Sequence, residues 1–540
     1  MTKFDFVDIP REFLGAAVLI DDDLDWSEAT EPSSSETVDL IEPDDFSGSA
    51  ETEEQSSGKT DTSVNAEAVV DGFSELGLVC STYRWRENHE KVPKSTEKAD
   101  LIVIDWKLKP GNEKIALGIL TERLKQDLSE RNRLRYIAIY TSESSEKVLN
   151  AVVEGFNNDV SAITAARKGD AVHVFLDSGA TIWRVGHFSK KIQGGMLATH
   201  ILNDFADFQD GVLPRTVMAA VAEIKRSAYE HLFRFGKSLD PALATHLLDK
   251  RISELEFPTS RDSFAEFATS LVLADISAAL HSSNLVASAT GKTDLTRCLG
   301  LENPKSMGVL RDQLEDPKEF DQEQLETVFF SEDYDKFATV IEQGLKLNAK
   351  KKKSFREGKA PIALSTVQED DLTALAYLDQ INSYPKKSNG SYALKSGTIL
   401  KRVPDTEAEP EFFLCLQPLC DSVRLSGPTS FPLLKLLSVS AKQKFSFPIK
   451  EEKGYRYLTS KFKLSDVNMA TFEPNAESRD VRSSTSGPDA TQVFTCYDNN
   501  EFVWIGELKP HYAAEAQGAL ATQGGRIGND KFEWLRRKAS

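Results

Sequence analysis

The order of apolar and polar positions divides the chain into three parts. In the first part, short apolar runs with no polar face alternate with stretches of helical period. Ala16-Ala17-Val18-Leu19-Ile20, Leu101-Ile102-Val103-Ile104 and Tyr136-Ile137-Ala138-Ile139-Tyr140 are too short for buried helices, so they predict buried parallel strands. Between them, Val69, Val70, Phe73 and Leu76 repeat at helical spacing, with Gly77 placed as a C-cap. Ile115, Leu117, Ile119, Leu120 and Leu124 mark a second helix, and residues 145–156 a third. Leu78 to Tyr83 alternates as a strand. Val172 to Leu176 and Thr181 to Val185 flank Asp177-Ser178-Gly179, which suits a turn between two strands. Residues 1–194 therefore predict an α/β fold with a doubly wound, five-stranded parallel sheet, flavodoxin-like in kind.

The pattern then changes to helix. Thr216 to Phe235 combines strong helix formers with an apolar stripe, and Leu243, Leu247, Leu248 and the run Phe264 to Leu280 continue it. Residues 195–345 predict a helical domain, and the 216–235 helix is its best surface for a homodimer. Four consecutive lysines, Lys350 to Lys353, mark a polar boundary. In residues 355–540 the strand candidates are short: Thr398 to Arg402, Phe412 to Gln417, Phe431 to Ser438, Lys444 to Pro448 and Phe502 to Glu507. With a closing helix near Tyr512 to Ala521 they predict a C-terminal α+β domain. The apolar tail from Arg526 to Arg537 is expected to dock.

Charge alters this picture in one place. From Asp21 to Glu54 there are fourteen acids and no Lys or Arg. Such a segment buries too little to fold alone, so residues 27–62 predict a disordered acidic insertion within the first domain. The net charge of -19 argues against a broad nucleic-acid surface. No apolar run approaches the roughly 18 residues of a membrane span, and the N-terminus has no signal-peptide core. Five cysteines in 540 residues do not make a disulfide framework. A cytoplasmic, reducing setting is expected.

The candidate chemistry lies where the apolar runs stop. Asp21-Asp22-Asp23 follows the first strand, Asp105 the central one and Thr141-Ser142 the next. Carboxylates gathered at one sheet edge repel each other unless a cation joins them, which points to Mg²⁺. Asp22 and Asp105 are the carboxylate ligands, with Asp21 binding directly or through water and the Lys107 carbonyl completing the protein share. Asp105 is the candidate nucleophile toward a phosphoryl group. Lys190, with Lys191 nearly its equal, is placed to neutralise the transferring oxygens, and Thr141 to donate a hydroxyl. The plainer alternatives stay open here: Asp105 as a loop cap, Thr141 as a helix cap, Asp23 and Asp25 as solvated acids.

The set of acidic pair, lone aspartate, Thr/Ser and lysine resembles the receiver domain of two-component response regulators over residues 14–192. That resemblance implies a Mg²⁺-dependent phosphoacceptor Asp105 served by a sensor histidine kinase. This chain departs from the pattern in its acidic insertion, in the hairpin before Lys190, and in having Lys190-Lys191 where a Lys-Pro pair is usual. Further segments also carry a resemblance: Asp210-Gly211-Val212-Leu213-Pro214, the stretch Phe235 to Pro241, the stretch Cys415 to Arg424 and the ending Gly528 to Arg537. They are similar to large bacterial response receiver domain proteins of anti-phage defence operons, closest to the effector-less second receiver component of the Detocs phosphorelay. The resemblance implies a phosphate sink or negative regulator, with an effector receiver protein of the same operon as a further partner. No dedicated enzyme is implied beyond phosphoryl acceptance and loss. The alternative is a phosphorylation-switched output protein whose C-terminal domain binds a protein or carries an unrecognised activity.

Three other motifs carry little. Gly291-Lys292-Thr293 lacks the earlier glycine of a phosphate-binding loop, because Val286 stands there. Cys415 and Cys420 have no second pair or histidine to complete a zinc set. His231 lies within helical sequence and reads as a helix histidine.

Overall fold

Seven strands build the N-terminal sheet in the computed structural model: β1 (Ala16–Asp21), β2 (Val79–Arg84), β3 (Leu101–Ile104), β4 (Arg135–Thr141), β5 (Ile163–Lys168), β6 (Ala171–Leu176) and β7 (Thr181–Ser189). Their order is β2-β1-β3-β4-β7-β6-β5. The five strands from β2 to β7 in that order run parallel, while β6 and β5 add on antiparallel. The expected five-stranded parallel sheet is corrected to a mixed, seven-stranded one. The cause is legible at β5: of its six residues only Ile163 and Ala165 are buried, and Arg167 and Lys168 are exposed, so it has no core run to announce it.

The structure describes residues 6–26, 64–86, 93–108, 113–130, 133–176, 181–208, 211–253, 262–310, 314–359, 361–382, 391–402, 409–439, 447–451, 454–476, 478–487 and 491–525. The expected acidic insertion, the Asp177-Ser178-Gly179 turn and the expected docking tail lie outside these residues. Among the described residues no helix is long and apolar enough to cross a membrane.

Every position of β3 and β4 is buried, as a parallel strand covered on both faces requires. Leu19, Val103 and Ala138 face one core, shared with helices Ala66–Glu75 and Gly194–Phe208. Val18, Ile20, Ile102, Ile104, Ile137 and Ile139 face the other, shared with helices Glu113–Glu130 and Ser145–Asp159. On the first face two helices meet backbone to backbone: a Cβ at Gly72 would lie 2.4 Å from the Gly195 carbonyl oxygen. Helix Val212–Arg234 adds Met218, Ala219 and Ala222 to that same core.

The chain divides into two compact units, Met1–Glu230 with Ile276–Glu302, and His231–Asp275 with Asn303–Ser540. The second unit holds a three-stranded sheet of β8 (Lys305–Leu310), β9 (Leu314–Phe320) and β10 (Ile362–Leu364). Two of its strands thus fall in sequence that the helical pattern covers. The larger sheet comprises β11 (Thr398–Arg402), β12 (Glu411–Cys415), β13 (Thr429–Val439), β14 (Phe447–Glu451), β15 (Gly454–Thr459), β16 (Val467–Phe472), β17 (Ser484–Ser486), β18 (Thr491–Thr495) and β19 (Glu501–Glu507). All its pairings are antiparallel.

This sheet curls onto itself. Phe472, the last residue of β16, bridges to Cys496, just past β18, and the Tyr497 N–H donates to the Thr471 carbonyl at 2.7 Å. The ring β16-β13-β12-β11-β19-β18 is thereby closed. Its interior is filled by Leu400, Phe413, Phe431, Leu433, Phe472 and Phe494. Its outer face carries Ile399, Phe412, Leu414 and Leu434, with Tyr377 of helix Glu369–Gln380 and Ala513 and Ala516 of helix Pro510–Gly525 packed against it. A mixed α+β C-terminal region is therefore present, with more strands than the five expected. Polar β16 (VNMATF) and β18 (TQVFT) have too few apolar residues to be found by pattern alone.

Candidate functional site at the carboxyl edge of the parallel sheet

Parallel register brings residues from distant parts of the chain to one edge. Asp21 ends β1 and Asp22 follows it. Asp105 follows β3, and its N–H continues the ladder to the Ile20 carbonyl at 3.0 Å. Thr141 ends β4, and Lys190 follows β7 with its N–H on the Thr141 carbonyl at 3.1 Å. All these residues sit at the carboxyl ends of parallel strands, the place where open α/β sheets form their crevice.

One carboxylate oxygen from each of Asp21, Asp22 and Asp105 lies within 4.8 Å of the others, and all three residues are buried. The Lys190 ammonium joins two of them, at 2.9 Å from Asp105 Oδ2 and 3.2 Å from Asp21 Oδ2. Lys191 is exposed, and its backbone N–H donates to Ser189 Oγ. The Asp23 N–H donates to Asp21 Oδ1 at 2.7 Å, and the Lys107 N–H to Asp105 Oδ1 at 3.3 Å.

Electrostatics follow from crowding. Burial pushes the Asp21 carboxyl up to about 6; Lys190 opposes this, Asp105 adds to it, and the Asp23 N–H opposes it. Burial alone would lower the Lys190 ammonium, but Asp21 and Asp105 outweigh it and hold it above its ordinary value. Three acids against one lysine leave a surplus of negative charge around hard oxygen donors. That is the donor set of a divalent cation such as Mg²⁺.

Thr141 is buried, and its Oγ1 accepts the Glu143 N–H at 3.4 Å. Sequence reasoning missed what surrounds it. Glu143 pairs with the Lys107 ammonium and, at 3.4 Å, with Lys147, which also reaches Glu113 at 3.5 Å. Lys107 chiefly holds the Glu143 carboxyl below its ordinary value; burial opposes this and Lys147 adds to it. The His187 ring meets the Glu143 carbonyl at 2.8 Å, and the Tyr140 hydroxyl donates to the Ile192 carbonyl at 2.6 Å. Arg84 Nε reaches the Asp22 carbonyl at 3.3 Å. None of these contacts follows from local spacing except Glu143–Lys147, at i,i+4.

Residues 13–183 match the response receiver domain family. The matched span contains Asp21, Asp22, Asp105 and Thr141 and ends before Lys190, which the fold brings to the site. No curated protein and no solved structure matches the chain. The receiver region thus carries an acidic cluster suited to phosphoryl acceptance.

The weaker motifs are placed elsewhere. Gly291 precedes the short helix Lys292–Cys298. Cys415 is buried in the C-terminal ring and Cys420 is exposed. His231 Nδ1 lies 2.5 Å from Asp275 Oδ2.

Proposed function

We propose that the chain accepts a phosphoryl group on Asp105 from a phosphohistidine of a sensor histidine kinase. The convergence of Asp21, Asp22, Asp105 and Lys190 at the strand ends carries this reading. A carboxylate oxygen of Asp105 attacks phosphorus, the P–O bond forms and the P–N bond breaks. The imidazole leaves with the electron pair and takes up a proton. Asp21, Asp22 and Asp105, with the Lys107 carbonyl, would hold Mg²⁺, which supplies positive charge to the phosphoryl oxygens. Lys190 neutralises the same charge from the protein side, and the Thr141 hydroxyl holds the group once attached. Hydrolysis of the acyl phosphate returns the carboxylate.

The role that best suits the resemblances is a phosphate sink or negative regulator in a bacterial anti-phage phosphorelay, beside an effector receiver protein. The C-terminal ring with its own cavity favours a second reading, an output module switched by Asp105. Incubation of the full chain with phosphoramidate and Mg²⁺ should add one phosphoryl group, mapped to Asp105 by mass spectrometry. D105N and omission of Mg²⁺ should each abolish it. A label that persists on D105N overturns the phosphoacceptor assignment. If the kinase and effector remain harmless to uninfected cells when D105N replaces the wild type, the sink role fails while the chemistry stands.

A further inference from the structure

Helix Glu369–Gln380 uses one face to pack on the C-terminal sheet. Thr373 is buried there, its hydroxyl 3.1 Å from the Tyr457 hydroxyl, and the Tyr377 ring lies 5.9 Å from that of Tyr455. Both partners belong to β15. The opposite face turns Leu372, Leu375 and Leu378 outward, at 37%, 50% and 55% exposure. Spaced three residues apart, they form one stripe along the helix. A surface helix ordinarily turns polar residues outward, so an outward leucine stripe marks a contact surface.

Charge selects what covers it. Asp370, Asp371 and Asp379 are exposed beside the stripe, and the helix contains no Lys or Arg. The occupant must therefore be apolar and basic. The two longest segments outside the described residues differ sharply in this respect. Residues 27–63 are rich in acids and hold a single basic residue, Lys59, so the helix would repel them. Residues 526–540 carry Phe532, Trp534 and Leu535. Five basic residues accompany these, Arg526, Lys531, Arg536, Arg537 and Lys538, against only Asp530 and Glu533.

Reach agrees with charge. The end of helix Glu369–Gln380 touches the start of helix Pro510–Gly525: the Lys509 N–H donates to the Gln380 carbonyl and Lys509 Nζ to the Leu378 carbonyl, each at 2.8 Å. The Tyr512 hydroxyl donates to Asp379 at the same corner. From there the 16 residues of the second helix carry the chain about 24 Å. The extended chain from Arg526 to Phe532 or Leu535 spans about 23–36 Å, enough to return to the stripe.

We propose that residues 526–540 return as a strap over helix Glu369–Gln380 of the same chain. Phe532, Trp534 and Leu535 cover the leucine stripe, and the basic residues lie beside Asp370 and Asp371. The contact lies within the second unit and is independent of the phosphoacceptor chemistry.

Hydrogen exchange of the full chain, read by mass spectrometry on peptides spanning 369–380 and 526–540, tests this. Amides of residues 530–537 should exchange at least about ten-fold more slowly than in the same peptide free in solution. L375D should return them to the free-peptide rate, and L375M should not. W534D, in the strap itself, should in turn speed exchange in helix Glu369–Gln380 several-fold. L375D and W534D together should do no more than either alone, because both break one contact, a result that damage to the fold cannot imitate. D370N/D371N should speed exchange of the strap several-fold. Protection should be the same at about 1 and about 50 µM protein, since the contact is intramolecular. An unprotected segment in the wild type, protection that survives L375D, additive effects of L375D and W534D, no effect of D370N/D371N, or protection lost on dilution, as for docking on a second copy, overturns the proposal.

Discussion

Two buried clusters of charge occupy opposite ends of one strand. At the carboxyl end of β4, beside Thr141, three carboxylates face one lysine. At its amino end, Arg135 and Arg123 face one carboxylate, Asp127. Asp127 accepts from Arg135 Nε at 2.5 Å, from Arg123 Nε at 3.0 Å and from Trp183 Nε1 at 3.1 Å. Arg135 donates a second time to Asp127, from Nη2 at 2.9 Å, and also to the backbone carbonyls of Ala99 and Glu97. Main-chain carbonyls thus hold the Arg135 guanidinium, while the Trp183 indole donates to the shared carboxylate. The acidic surplus is held by the Lys190 side chain and, in the proposed function, an exchangeable ion. A buried charge cluster tied to the main chain is a fixed joint, whereas one balanced by movable cations is suited to chemistry.

The contrast can be broken first at the joint. Asp127→Ala leaves two guanidinium groups in the core and should cost about 3–5 kcal/mol in urea unfolding. Phosphoryl uptake per folded molecule should stay at the wild-type level. A cost under about 1 kcal/mol, or a selective loss of uptake, would erase the distinction between the two clusters.

The acidic cluster should declare itself through pH. The Asp21 carboxyl sits at about 6 in the fold, above its ordinary 3.8. The folded state therefore binds more protons than the unfolded state between those values. The stability this group contributes is fully present below its unfolded pKa and is lost as pH rises through about 6. The loss is on the order of 3 kcal/mol without a divalent ion. D21N should flatten that slope in denaturant midpoints measured from pH 4 to 7, and Mg²⁺ should offset it in the wild type. A wild-type slope that matches D21N rejects the crowding account.

The smallest expected effect lies between the site and the helix that follows it. Tyr140→Phe removes the hydroxyl donated to the Ile192 carbonyl, two residues before helix Gly194–Phe208. About 1 kcal/mol should be lost, with Lys190 still able to support phosphoryl uptake. Loss of uptake equal to that of D105N would place Tyr140 in the chemistry itself.

Much of the candidate site was legible before any fold was known, because an apolar run that stops at an acid marks both a strand and its functional end. Asp21, Asp22, Asp105 and Thr141 were found that way. Glu143 was not, since an acid in a polar loop looks like any other until Lys107 is brought to it. The burial of Arg123 and Arg135 with Asp127 has no local signal either, since charged residues on a helix and at the start of a strand ordinarily face water.

Local periodicity determined the parallel strands, the helices between them and the residues at their ends, because burial on one or both faces repeats within a few positions. The tertiary structure alone decided that Lys190 rather than Lys191 points into the acids and that β5 and β6 extend the sheet. It also decided that Phe472 meets Cys496 to close the C-terminal ring. Each of these depends on register between segments far apart in the chain, and no local pattern encodes a register.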